Sequence, residues 1–229
     1  MVQIFSDEAV IFDLDDLLYK EFDFMRSGFW EISRLVEPSN AKQLFRLMMA
    51  KYFLGEAPLS WLSEEYLKGR TDFNMDSLFS IYRGHKPDIS LNAACVVLLD
   101  QLKLNGNKIG LLTDGRSVTQ RNKIEALGLS RWIADFSISE EIGFEKPSLE
   151  PYLYFVNKYD VEKFVYIADN YNKDFIAPNS LGWRTIALED NGLNIHLKKA
   201  DLGQSNLPAE VIMSLSDLKV STSINHHEY

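Results

Sequence analysis

The sequence predicts an α/β fold: a Rossmann-like parallel sheet flanked by helices, with a helical domain inserted after the first strand. Three observations predict it. Short apolar runs recur along the chain, and helical segments of about ten to fifteen residues separate the later ones, the alternation of a parallel sheet with crossover helices. The stretch 18–88 carries no clear strand and is spaced like helices instead. Polar residues stand at the ends of the apolar runs, where an α/β sheet places its chemistry.

The first run is Ala9 to Leu14, followed directly by Asp15-Asp16-Leu17-Leu18-Tyr19. Asp13 and Asp15 are costly there, because two carboxylates at the end of a buried strand need a cation or a shared proton. In the insertion, Phe22, Met25, Phe29, Ile32 and Val36 follow the 3-4-3-4 spacing of one helix face. Pro38-Ser39-Asn40 breaks that helix and caps the next, which carries Ala41, Leu44, Phe45, Met48 and Tyr52 on one side. Shorter helical patches are expected near Trp61 to Lys68 and Asn74 to Tyr82. This insertion is too long for a crossover and too apolar for a loop. It reads as a helical cap over 18–88 that packs its aromatic stripe into its own core, with 1–17 and 89–229 forming the α/β domain.

A helix over Leu91 to Leu104 leads through Asn105-Gly106-Asn107 into a second strand, Lys108 to Thr113. Further strands are expected at Phe164 to Ala168 and Trp183 to Ala187, a weaker one at Ile133 to Ile138, and a short one at Val211 to Met213 with a helical turn after it. The tail from Ser221, with His226 and His227, is polar and is expected to fray. His85 and His196 read as surface residues.

Composition narrows the function. The chain has 229 residues, 46% hydrophobic and 25% charged, with a net charge of −9. A broad nucleic-acid surface needs basic patches, so that partner class is excluded, whereas a small phosphorylated ligand needs only one or two local cations. Cys95, the single cysteine, lies in an apolar helical run and reads as a core residue. No internal disulfide is possible, the first eight residues lack a basic region followed by an apolar stretch, and no apolar run approaches a membrane span. These readings place the protein in the cytoplasm.

Further polar points end the later runs. Thr113 is followed by Asp114-Gly115-Arg116, Lys146 precedes Pro147 near a helix start at Ser148, and Asp169 is followed five positions later by Asp174. In a parallel sheet Asp13, Asp15, Thr113 and Asp169 converge on one edge. Three carboxylates make a hard oxygen site suited to Mg²⁺, and a lysine, a hydroxyl and backbone amides make a phosphate cradle. A metal-held Asp can serve as nucleophile, and a second Asp two positions on can move the proton. Arg116 is a candidate for a substrate anion or a solvated cation on a first helical turn, Asp16 reads as structural or solvated, and Asp174 is open between a helix cap and a pair with Lys173.

With these motifs in order, the chain resembles the haloacid dehalogenase superfamily of aspartate-nucleophile hydrolases from Val10 to about Leu188. Asp13-Leu14-Asp15, Thr113-Asp114-Gly115, Lys146 and Asp169-Asn170 stand where the four motifs of that superfamily stand, and the insertion resembles its helical C1-type cap. The resemblance implies Asp13 as nucleophile and Mg²⁺ ligand, and Asp15 as general acid/base with its backbone carbonyl on the metal. It implies Thr113 and the Asp114 amide on the phosphoryl oxygens, Lys146 between phosphoryl group and Asp13, Asp169 as a further ligand and Asp174 in support. Members that displace halide lack an acid at the position of Asp15, so a phosphatase acting on a sugar phosphate or a nucleotide is expected. The alternatives are a phosphomutase of the same superfamily and a degenerate phosphate-binding protein. Two residues depart from the pattern: Leu17 where Thr is usual, and Ala168 where Gly is usual. Leu17 carries the expectation of a changed placement or acidity for Asp15.

Overall fold

A computed structural model describes residues 1–196, 199 and 201–221. Six parallel strands form the main sheet in the order β4-β3-β2-β5-β6-β7: β2 (Glu8–Phe12), β3 (Ile109–Thr113), β4 (Asp135–Ile138), β5 (Lys163–Ala168), β6 (Arg184–Leu188) and β7 (Glu210–Ile212). The order reverses at β2, which has β3 on one side and β5 on the other. Every residue of β2 is buried, the apolar run Ala9–Phe12 as its character requires and Glu8 with it. Phe12 is level with Leu111 of β3 and Ile167 of β5. Asp13, Thr113 and Asp169 therefore leave the sheet within two residues of one another in height, at the crevice where an open α/β sheet binds its ligand.

The expected strands are all present, with ends shifted by one or two residues. A second, two-stranded parallel sheet was not foreseen: β1 (Val2–Phe5) pairs with β8 (Leu218–Ser221). Ser221 is thus a strand residue rather than the start of a frayed tail, while His226 and His227 lie outside the described residues. The helix expected from Ser148 begins later, as α8 (Glu150–Lys158).

Helices cover both faces of the sheet. On one face Cys95, Leu98, Leu99 and Leu102 of α5 (Ala93–Leu104) join Val10, Phe12 and Leu111 in a single core with residues of α6 (Ser117–Ala126). On the other, Tyr152 and Phe155 of α8 pack on Ile11, Leu112 and Tyr166. Gly110 in β3 is where α8 comes closest: a Cβ there would lie 2.4 Å from the Phe155 ring. The short helices α7 (Ser139–Ile142) and α9 (Ile176–Ser180) complete the α/β part.

Between Leu18 and Ile89 the chain is helical among the described residues. α1 (Glu21–Val36) and α2 (Ala41–Phe53) are followed by the short α3 (Pro58–Trp61), which continues as a π-helical turn over Leu62–Tyr66, and by α4 (Met75–Gly84). α1 begins with Glu21 and Asp23 and ends with Arg34, charges that suit the helix dipole. Met25, Phe29, Ile32 and Val36 form a core of their own with Leu44, Met48, Leu62 and Leu78. The aromatic stripe thus serves that core, as its spacing predicts. Gly28 admits the Tyr82 ring of α4, which would lie 2.6 Å from an added Cβ. Asn74 caps α4 by accepting from the Ser77 amide, and Ser77 returns the bond to the Asn74 amide. Asn40, in contrast, makes no side-chain cap to α2.

α6 joins the two parts. Thr119 donates to the Arg83 carbonyl at 3.0 Å, and Asn122 donates to the Gly84 and His85 carbonyls at 3.0 and 3.1 Å. These are last-turn carbonyls of α4, which a helix end leaves unpaired. His85 is buried, contrary to the surface position read from the sequence. Its ring packs 4.8 Å from that of Phe24, and its Nδ1 is 2.7 Å from the Tyr82 carbonyl. No helix among the described residues is long and apolar enough to cross a membrane.

Candidate active site

Asp13 is the first residue past β2, and its amide donates to the Ile167 carbonyl at 2.9 Å, which carries the strand pairing up to the carboxylate itself. Lys146, only 6% exposed, reaches in from the segment before α8. Its Nζ is 2.9 Å from both Asp13 Oδ1 and Asp174 Oδ1, and 3.3 Å from the Tyr166 hydroxyl. Asp174 is fully buried, and its other oxygen accepts from the Asn170 amide at 3.1 Å. Asp174 therefore pairs with Lys146. Lys173, the partner considered from the sequence, turns to Asp114 Oδ2 at 2.5 Å, while Asp114 Oδ1 accepts from the Lys146 amide.

Oxygens of Asp13, Asp169 and Asp174 lie within 4.8 Å of one another, all buried. One ammonium faces three carboxylates, so the cluster is short of positive charge. Asp13 is pushed up to about 7 by burial, against the pull of Lys146, and Asp174 adds to the rise. Asp169 is pushed up to about 9 by burial and then by Asp13 and Asp174. Asp174 Oδ1 receives no aligned hydrogen bond despite its proximity to Lys146. Three buried hard oxygens that share a single ammonium fit a divalent cation such as Mg²⁺. The carboxylates in this cluster are Asp13, Asp169 and Asp174; that of Asp15 points elsewhere.

Asp15 is held from three sides. Tyr19 OH and Lys123 Nζ both donate to Oδ1, the lysine at 2.7 Å, and Gln120 Nε2 donates to Oδ2 at 3.1 Å. Burial pushes this carboxyl up, but the Lys123 ammonium and the bonds from Lys123, Tyr19 and Gln120 outweigh it and leave Asp15 below the ordinary carboxylate value. Gln120 Nε2 also lies 2.5 Å from Thr113 Oγ1 and 3.1 Å from the Asp114 carbonyl. Gly115, with φ of 139°, makes room for it: a Cβ there would come within 3.3 Å of the Gln120 amide carbon.

A small cavity of about 90 Å³ lies over these groups, and the described residues that line it are all polar or charged, Asp13, Asp15, Thr113, Lys146 and Asp169 included. Glu21 of α1 and the exposed His196 also line it, 3.9 Å from each other. Burial, then the neighbouring Asp15, push Glu21 up to about 7. A larger groove of about 400 Å³ nearby, bounded by Tyr19, Asn92 and Leu215, contains none of the clustered acids. The chemistry therefore belongs to the smaller space. Arg116 does not line it; its guanidinium is exposed and lies 3.2 Å from Glu140. Asp16 is structural, as expected: it adopts φ of 58° and accepts from the Glu21 and Ile195 amides.

A family model for haloacid dehalogenase-like hydrolases matches residues 10–188. The chain belongs to that family. Among curated proteins, a glyceraldehyde 3-phosphate phosphatase of Methanopyrus kandleri is 28% identical over 205 residues, covering 79% of this chain and 83% of its own length. The same-named protein of Methanothermobacter thermautotrophicus is 22% identical, covering 93% of this chain and 98% of its own length. A magnesium-bound HAD-hydrolase of Bacillus subtilis shares the fold, with a TM-score of 0.61 at 17% identity, covering 92% of this chain and 96% of that one. In this member of the haloacid dehalogenase-like hydrolases, the four motifs read from the sequence stand together at one sheet edge. Sequence reasoning missed Gln120, Lys123 and Tyr19. The one available signal was the i, i+3 placement of Gln120 and Lys123 on a helix just after the second motif.

Proposed function

We propose that the chain is a Mg²⁺-dependent phosphatase that hydrolyses a small phosphomonoester through an aspartyl-phosphate on Asp13. The observation that carries this reading is the contact of Lys146 with Asp13 at the carboxyl edge of β2, with Thr113 and Asp15 facing the same cavity. The Asp13 carboxylate attacks phosphorus; the phosphate dianion beside Asp15 raises that carboxyl from its depressed resting value, so that it carries the proton with which the alcohol departs. Asp15 then takes a proton from water, whose oxygen attacks phosphorus, and the phosphate leaves Asp13. Lys146 offsets the charge of the transferring group, and Thr113 Oγ1 and the Asp114 amide hold its oxygens. Asp13, Asp169 and Asp174, together with the Asp15 carbonyl, would hold Mg²⁺, which when bound neutralises phosphoryl charge and favours the ionised acids.

The helices between Leu18 and Asp88 act in this reading as a cap, presenting Glu21 to the leaving group. The cavity is small, and the described residues that line it include no aliphatic side chain and no phenyl, phenol or indole ring on which a nucleobase would stack. That favours a short polyhydroxy or carbonyl phosphate over a nucleotide, in line with the name of the archaeal relatives. Asp13→Asn should abolish release of phosphate from an aryl phosphate while leaving the circular dichroism spectrum unchanged. Turnover retained in that variant would refute the mechanism.

A further inference from the structure

Lys123 has no place in the four motifs, yet it is one of the most buried charges of the molecule at 3% exposure. A lysine is rarely enclosed in this way unless it is paired. Its Nζ lies 2.7 Å from Asp15 Oδ1 and 4.4 Å from the centre of the Phe24 ring, a cation–π distance. Phe24 belongs to α1 and Lys123 to α6, so the ammonium is gripped between the inserted helices and the α/β part. Tyr19, just before α1, adds its hydroxyl to the same carboxylate oxygen, and Gln120, one turn before Lys123, takes the other. Leu17 contributes nothing polar to Asp15; it is buried in the main core.

We infer that Lys123 is a positioning residue which, with Tyr19 and Gln120, fixes the rotamer of Asp15 and so aims its carboxyl at the leaving-group oxygen. The inference rests on the phosphatase reading and extends it to residues outside the motifs. Three donors from two parts of the chain leave the carboxylate one orientation. With Oδ1 taken up by Tyr19 and Lys123, Oδ2 is the oxygen with an acceptor site to spare. Proton transfer by a placed side chain contributes roughly 10²- to 10⁴-fold, and that contribution is lost when the side chain swings away.

A leaving group that needs a proton reveals the loss, and one that does not conceals it. kcat/KM covers the steps through release of the alcohol, so it isolates this proton transfer from the later hydrolysis. In Lys123→Met, kcat/KM for glycerol phosphate should fall by about 10²-fold or more, and for p-nitrophenyl phosphate by less than about 10-fold. Tyr19→Phe, which removes one hydroxyl and keeps the ring, should show the same split at smaller size and keeps the test available if Lys123→Met does not fold. In an Asp15→Asn background, Lys123→Met should add little further loss. Equal losses on both substrates, or no loss on either, in a variant that melts like the wild type would overturn the positioning role alone. A wild type inactive on both substrates with Mg²⁺ present would overturn the phosphatase reading, and this inference with it.

Discussion

The His85 imidazole is buried with Nε2 unpaired and Nδ1 against the Tyr82 carbonyl, so the proton that Nδ1 donates leaves the ring neutral. Burial pulls its pKa below 6.5, and the Lys123 ammonium acts in the same direction; the Tyr82 carbonyl and Glu31 oppose them without winning. The unfolded chain therefore binds a proton at His85 that the folded chain refuses. Stability from this group is full above about pH 6.5 and is lost as pH falls below it. The urea midpoint of the wild type should drop more between about pH 7.5 and about pH 5.5 than that of His85→Gln; parallel drops would show that His85 is not the group responsible. Cys95 is fully buried, and burial pushes its thiol up to about 12. It should not react with an aromatic disulfide reagent in the native state and should react with one equivalent in denaturant, because the thiolate is the reactive form. Sequence alone gave the burial of Cys95 but reversed that of His85. An isolated histidine between a glycine and a lysine carries no periodic signal, and only the packing of α4 on α1 encloses it.

Elements were more legible than residues, and for a physical reason. The run Ala9–Phe12 within β2 reads as buried because it is apolar without interruption, and α1 reads as a one-faced helix because its large side chains recur with helical spacing. The pair β1 and β8 escaped notice because each has four residues and its partner lies more than two hundred positions away. The cradle around Asp15 escaped because a polar residue inside a helix reads as solvated until its neighbours are known. Gly110 likewise looks like an ordinary small residue in a strand, yet the approach of α8 depends on it. Gly110→Ala should force Phe155 and Ile11 aside and lower stability by about 1–3 kcal/mol, as overpacking does, seen as a lower melting temperature. A melting temperature equal to the wild type would mean that α8 can shift freely. The junction of α4 and α6 makes a milder prediction. Asn122→Ala removes the donor to two last-turn carbonyls and should cost about 1 kcal/mol, with faster amide exchange at His85, whose N–H closes that turn on the Ile81 carbonyl. Exchange unchanged there would separate α6 from the stability of α4.

For the whole molecule, the cluster of Asp13, Asp169 and Asp174 is a liability that a bound cation turns into a gain. A ligand that binds only the folded state stabilises it by about 2.7 kcal/mol at a hundredfold excess over its Kd. Mg²⁺ should therefore raise the melting temperature of the wild type, and Asp169→Asn should shrink that rise. Chelation should remove both the rise and the phosphatase activity. An equal rise in the variant would place the cation elsewhere.

The same whole-molecule view gives the small sheet of β1 and β8 a meaning beyond folding. The two strands run parallel, with Val2 beside Leu218 and Phe5 beside Ser221. A force that pulls the front of β1 one way and the back of β8 the other slides the strands along each other, so their rungs are loaded together rather than opened one at a time. A load of that kind across β1 and β8 falls on this lateral clasp. The eight residues of the clasp line neither the cavity nor the acid cluster.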